Sequence, residues 1–242
     1  MIKLFQLPRV WGLPSISPPC MRLETWMRMM DVSYEARVMD PVNYPIPKGK
    51  IPYIEENGMI MGDSTLIIDY LRRTRNVDPD ARLTPTERAI STAFSRMLTE
   101  NTYWITVHDR YVYEPGWAVY RELIRPMITI GAPIEQHEDI IAGFKQTILA
   151  GYHGHGLGRH TSEEVIQIMK ADLEAVSTFL GDKPFFFGDK PSGVDATAYA
   201  VVANVINVPL DTQLARFGRE QPNLVAYCKR MQDRIFPDLV AG

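Results

Sequence analysis

The chain has 242 residues, 45% hydrophobic and 23% charged, which is the make-up of an ordinary globular protein with one large core or two modest ones. A net charge of -3 leaves no basic surplus for a nucleic-acid partner. Two cysteines, Cys20 and Cys228, cannot build a disulfide framework, so a reducing, cytoplasmic compartment is expected.

Strand-like residues begin at Ile2, where a leader would need a basic and then a long apolar region, and none is expected. Residues 2–7 carry only Lys3 as a charge, as in a strand covered on both faces. A connection punctuated by Pro and Gly leads to Ser17-Pro18-Pro19-Cys20, a helix start with Ser at the cap and Pro where a missing N–H costs nothing. Leu23, Met27 and Met30 then recur at helical spacing, and the helix is expected to stop near Asp31. Pro19 biases Pro18 away from helical angles, which predicts a start one residue late.

This first turn sets a hydroxyl and a thiol about one turn apart. A helix N-terminus carries free N–H groups and partial positive charge, which favour a thiolate, the protein's own or a ligand's. Plain capping by Ser17 and plain burial of Cys20 are the alternatives.

Residues 34–39 read as a second strand, joined to the first by a right-handed crossover if the two are parallel. A loop with Pro41, Pro45 and Pro47 follows, and a strand is entered through Pro52. Asn57-Gly58 predicts a hairpin with Met59 to Met61 returning antiparallel. Gly62-Asp63-Ser64 opens a helix through Leu66, Ile67, Tyr70 and Leu71. The order βαβ then ββα is thioredoxin-like and assigns residues 1–76 to one domain, with residues 74–82 as a polar linker.

From residue 84 the pattern is helical only. Thr84-Pro85-Thr86-Glu87 is a capping box, after which Ile90, Phe94, Met97, Asn101, Trp104 and His108 predict one long helix. Thr161-Ser162-Glu163-Glu164 opens another helix that Gly181 can end. Ser192-Gly193-Val194-Asp195 caps a third, with Asp195 in a structural role. That helix holds the longest uncharged run, residues 196–210, short of the roughly 20 that a membrane span needs, so it reads as buried. Asn223 is expected to cap the last. His153, His155 and His160, interspersed with Gly151, Gly154, Gly156 and Gly158, fit no zinc spacing and no phosphate loop. They predict a tight interhelical loop with Arg159 or His160 at the domain interface, and no metal.

A thioredoxin-like domain followed by an all-helical one resembles the glutathione transferase fold. Gln6-Leu7-Pro8-Arg9, Pro14-Ser15-Ile16-Ser17-Pro18-Pro19-Cys20, Pro47-Lys48-Gly49-Lys50-Ile51-Pro52-Tyr53-Ile54-Glu55, His155-Gly156-Leu157-Gly158-Arg159-His160, Leu180-Gly181-Asp182-Lys183-Pro184-Phe185 and Val194-Asp195-Ala196-Thr197 resemble its failed-axon-connections branch, relatives of the metaxins. Pro19 stands where that branch usually has an aromatic.

The resemblance implies that residues 1–76 bind glutathione and residues 84–242 carry a pocket for a small apolar co-substrate. It implies a homodimer, with no membrane or nucleic acid as partner. Ser17 would donate to the glutathione sulfur; if Cys20 faces the site instead, the chemistry becomes mixed-disulfide formation. Each unit by which the thiol pKa falls takes about 1.4 kcal/mol of preferential thiolate stabilisation. Ile51-Pro52 matches the superfamily's cis-proline position, with the Ile51 backbone free to pair with the cysteinyl backbone of glutathione and Lys50 near its glycyl carboxylate. Asp63 and Ser64 would hold the γ-glutamyl end. Tyr103, Trp104 and Tyr111, with Tyr113 and Trp117 nearby, would line the electrophile pocket. The expected activity is conjugation of the glutathione thiolate to an apolar electrophile. The alternatives are a non-catalytic glutathione-binding or protein-interaction module and a thiol transferase or peroxidase acting through Cys20.

Overall fold

A computed structural model describes residues 1–39 and 46–239; Pro41 and Pro45 of the expected proline-rich loop lie outside the described residues. Strands β1 (Ile2–Gln6), β2 (Tyr34–Val38), β3 (Tyr53–Glu56) and β4 (Met59–Gly62) form a sheet in the order β2-β1-β3-β4. β1 runs parallel to β2 and antiparallel to β3, and β3 pairs with β4 as a hairpin. Asn57 and Gly58 take φ of 52° and 81° at its tip, as a two-residue turn that matches strand twist requires.

Helix α1 (Pro18–Met29) returns from β1 and α2 (Ser64–Arg75) follows β4. α1 starts at Pro18, not one residue later: Met21 N–H reaches the Ser17 carbonyl at 2.9 Å, and the fully buried Leu23 and Met27 hold the turn against the Pro19 bias. Leu4, Leu23, Ile54, Ile67 and Leu71 share one core between the sheet and the helices.

The long helix is present but not regular. α3 (Pro85–Arg96) opens on the Thr84–Glu87 capping box, then passes through a wide π turn (Met97–Thr102), α4 (Trp104–Val107) and a second π turn (His108–Val112). Each π turn adds a residue and rotates the following face. α5 (Glu114–Ile128) and α6 (His137–His155) come next, then α7 (Ser162–Leu180), α8 (Gly193–Ile206), α9 (Gln213–Arg219) and α10 (Pro222–Ile235). α8 is buried on every side from Val194 to Ile206, as the uncharged run from residue 196 predicts. No helix among the described residues is long and apolar enough to cross a membrane.

Three sequence expectations change. Asn223 does not cap α10: Pro222 is its first residue, and the Asn223 amide donates to the Ser177 and Gly181 carbonyls, tying α10 to the end of α7. Gly151, His153, Gly154 and His155 belong to the last turns of α6, and only from Gly156, at φ 113°, does the chain leave the helix. Arg159 and His160 are exposed and bond locally, to the His153 carbonyl and near Glu164, so they do not hold the domain interface.

Other residues do. Asn204 Nδ2 donates to the Ser15 carbonyl at 3.1 Å, and Arg110 donates to the Ile16 carbonyl at 2.6 Å. Asp80 accepts the Gly193 N–H at 2.7 Å, and Asp238 takes ion pairs from Arg9 and Arg28, each at 2.6 Å.

Candidate functional site

Strand register brings the candidate residues to one end of the sheet. Tyr53, at the start of β3, pairs with Phe5 near the end of β1 and with Gly62 at the end of β4. Pro52 and Asp63 therefore flank the strand end from which the chain passes into the loop before α1. α1 runs back from that end, as a parallel crossover must, so Ser17 starts there too.

At the first turn of α1, two prolines remove N–H groups that a helix N-terminus normally offers. Ser17 is the N-cap residue, yet its side chain caps nothing. Its backbone N–H donates to the Ser15 hydroxyl at 3.2 Å, and both Ser15 and Ser17 hydroxyls interact with the Cys20 thiol. Ser15, fully buried, was not singled out by the sequence; only its position two residues before Ser17 could have suggested it.

Cys20 is fully buried. Burial pushes its thiol up to about 11, outweighing the hydrogen bonds from Ser17, Leu7 and Ser15. Burial and this raised pKa stand against the alternative in which Cys20, rather than Ser17, meets the glutathione sulfur.

The Ile51–Pro52 peptide bond is cis. Pro52 is buried, Ile51 half-buried, and Lys50 exposed with no side-chain partner among the described residues. At the start of α2, one oxygen of Asp63 accepts the Thr65 and Leu66 N–H groups at 2.9 and 3.2 Å. Asp63 itself is exposed and holds φ 81°, a left-handed value that a non-glycine residue adopts at a cost of about 1 to 3 kcal/mol. Ser64 is buried beside it, its hydroxyl spent on no partner among the described residues.

The aromatic residues divide. Burial raises the Tyr103 hydroxyl pKa, with Tyr120, Arg110 and Cys20 within electrostatic range, and its ring stands edge-on to Trp104 at 5.5 Å. Tyr111 is buried, stacked on Trp117 at 5.7 Å and edge-on to Tyr120 at 5.2 Å. Trp104 turns the other way, against His155 at 4.7 Å and Tyr152 at 5.7 Å. Tyr113 is exposed. Tyr120 and Arg110, like Ser15, were missed by sequence reasoning. Arg110 is buried, lies 5.3 Å from the Tyr120 ring centre, and bonds to Ile16 and Asn204. Its role depends on contacts some 94 residues away in the chain, which no local pattern announces.

Residues 18–116 match the family model of the glutathione S-transferase N-terminal domain, and residues 169–231 match that of the glutathione S-transferase C-terminal domain. The chain belongs to the glutathione S-transferase superfamily. Within it, the chain is 32% identical to isoprene-epoxide–glutathione S-transferase of Rhodococcus sp. (strain AD45), over 96% of this chain and 98% of that protein. It is 33% identical to Failed axon connections of Drosophila melanogaster over 98% of its own length, spanning 59% of that longer relative. Metaxin-1 of Mus musculus is 25% identical over 98% of this chain and 75% of its own, in keeping with the metaxin-related branch of the superfamily. Among solved structures, glutathione transferase F7 from Populus trichocarpa matches at a TM-score of 0.62 over 100% of this chain and 98% of its own. The beta-etherase LigF from Sphingobium sp. strain SYK-6 matches at 0.67 over 99% and 98%. Both are 16% identical and speak to the shared fold: a thioredoxin-like domain followed by an all-helical one.

Proposed function

We propose that this protein is a cytoplasmic, homodimeric transferase that conjugates the thiolate of glutathione to a small apolar electrophile. The observation that carries this reading is the Ser17 hydroxyl, which stands at a helix start without capping it and meets the Cys20 thiol, a weak partner that a ligand's sulfur would replace. The Ile51 backbone, at the open start of β3, pairs with the cysteinyl backbone of glutathione, and Lys50 meets the glycyl carboxylate. Asp63 and Ser64 hold the γ-glutamyl end. The electrophile packs against Tyr103 and Tyr111, while Trp104 faces His155 and Tyr152 instead. The Rhodococcus relative, whose name specifies an isoprene epoxide, supports a compact epoxide as that electrophile. A carbon–sulfur bond would form as a ring carbon–oxygen bond breaks, and the alkoxide would take up a proton.

A second reading, a non-catalytic glutathione-binding or interaction module, is favoured by the 33% identity to Failed axon connections and by the metaxins. Thiol transfer through Cys20 has the burial and raised pKa of that thiol against it. The deciding experiment is glutathione binding by calorimetry, a thiolate absorbance titration of the bound ligand and turnover of a small epoxide, on wild type, Ser17→Ala and Cys20→Ala. Binding with a depressed thiol pKa that Ser17→Ala abolishes, together with turnover, upholds the transferase. Binding without turnover selects the module; no binding overturns the glutathione assignment. Sedimentation at micromolar concentration tests the dimer.

A further inference from the structure

α1, α2 and α3 enclose a cleft of about 300 Å³ that begins beside the candidate site, at Arg22 and Thr65. Trp26, Ile68 and Pro79 give it an apolar floor, and Thr65, Ser91 and Ser95 supply hydroxyls along its walls. Arg22 lines it from α1. Its Nη1 donates to Thr65 Oγ1 at 3.0 Å, its Nε is buried and meets no acceptor, and no carboxylate among the described residues forms an ion pair with it. Burial lowers its pKa; Asp63 offsets this from a distance and Arg96 adds repulsion.

Of the other charged residues that line the cleft, Arg72 and Asp80 are engaged, and Asp69 and Arg96 are exposed. Arg72 is held by Asp78 at 2.9 Å, and Asp80 accepts the Gly193 N–H at 2.7 Å. Arg96 leans towards Glu100 at 3.4 Å. Arg22 is left as a guanidinium of five donors with one used, in a site where an uncompensated charge is costly. A planar carboxylate matches that fork in charge and shape.

We propose that this cleft is a second binding site, for a small organic carboxylate whose anionic end meets Arg22 and whose apolar body covers Trp26, Ile68 and Pro79. Inorganic phosphate satisfies the charge and leaves the floor bare; a neutral ring covers the floor and leaves Arg22 unpaired. The volume lies at the small end of ligand sites and suits a molecule of benzoate size. This assignment is independent of glutathione and is tested without it.

Benzoate, benzamide and inorganic phosphate are titrated into the full chain, followed by calorimetry and tryptophan fluorescence. The expected result is one benzoate per chain, with benzamide and phosphate each about tenfold weaker or more. Arg22→Gln should weaken benzoate about tenfold with the fold intact by circular dichroism. Ser95→Trp, on a half-buried position of α3, fills the cleft and should abolish binding, and it decides the matter alone if Arg22→Gln fails to fold. Absence of saturable benzoate binding, equal binding of benzamide or phosphate, or unchanged affinity in the variants would overturn the proposal.

Discussion

The starts of α8 and α1 look alike in sequence and differ in what their polar groups do. At α8, Asp195 is buried and fully used: one oxygen accepts the Phe186 N–H at 3.0 Å, the other the Ser192 N–H and hydroxyl at 2.7 Å each, and Tyr227 adds a further bond. At α1, two prolines have removed donors, and the Ser17 hydroxyl meets the Cys20 thiol instead of capping the helix. A helix start whose polar groups are all satisfied is architecture. One whose hydroxyl meets only a weakly bonding thiol at the edge of a sheet can turn to a ligand.

The largest effect expected from this contrast is at α8. Asp195→Ala strands two buried N–H groups and should cost about 3 kcal/mol or more in urea unfolding. Loss of less than about 1 kcal/mol would mean that the α8 start is less committed than its bonds suggest.

Next comes Cys20. Its folded pKa, about 11, lies above the ordinary thiol value, so the stability it confers is complete below about pH 8.5 and is lost as pH rises towards 11. The loss should amount to about 2 to 3 kcal/mol of unfolding free energy, and Cys20→Ala should flatten that alkaline limb. Iodoacetamide should label neither cysteine of the folded chain at pH 7.5, since Cys228 is buried as well and burial raises its pKa too. Rapid labelling of Cys20 would reopen thiol chemistry at this turn.

Ser17→Ala sharpens the comparison from the other side. It should leave unfolding free energy within about 0.5 kcal/mol, because no cap is lost and the bond given up is to a weakly bonding thiol, while kcat/KM for conjugation falls about 30-fold, close to 2 kcal/mol. A stability loss of about 1 kcal/mol with unchanged turnover would make Ser17 a cap after all. The start of α2 stands between the two cases, since Asp63 caps with one oxygen and is still exposed. Asp63→Asn should retain the cap and weaken glutathione binding by about tenfold, near 1.4 kcal/mol, in calorimetry.

Features governed by neighbours in sequence were legible. The Asn57-Gly58 hairpin, the boxes at Thr84 and Thr161, the all-round burial of α8 and the order of strands follow from local chemistry and alternation. α5 and α6 were not foreseen, because Pro115 and Pro126 in one, and Gly143, Gly151 and Gly154 in the other, blur the helical period. Around the candidate site, the helix starts at Ser17 and Asp63-Ser64 and the cis Pro52 position were readable from motif and resemblance. The burial of Cys20, the buried Ser15 beneath it and the hold of Arg110 on Ile16 were not, since each depends on what the second domain lays against the first. Asn223 shows the same limit: a good capping residue was claimed by α7 instead.

The two carbonyls just before the first turn of α1 are held by side chains of the helical domain, Ser15 by Asn204 and Ile16 by Arg110. The protein is thus poorly suited to modular recombination. A chimera joined at residues 76–84 would inherit an intact sheet, but its site loop would be fastened by whatever the donor places at two internal positions. Exchange between relatives should preserve the loop only when residues 110 and 204 travel with residues 15–17, so the unit that shuffles intact is an interface and not a domain.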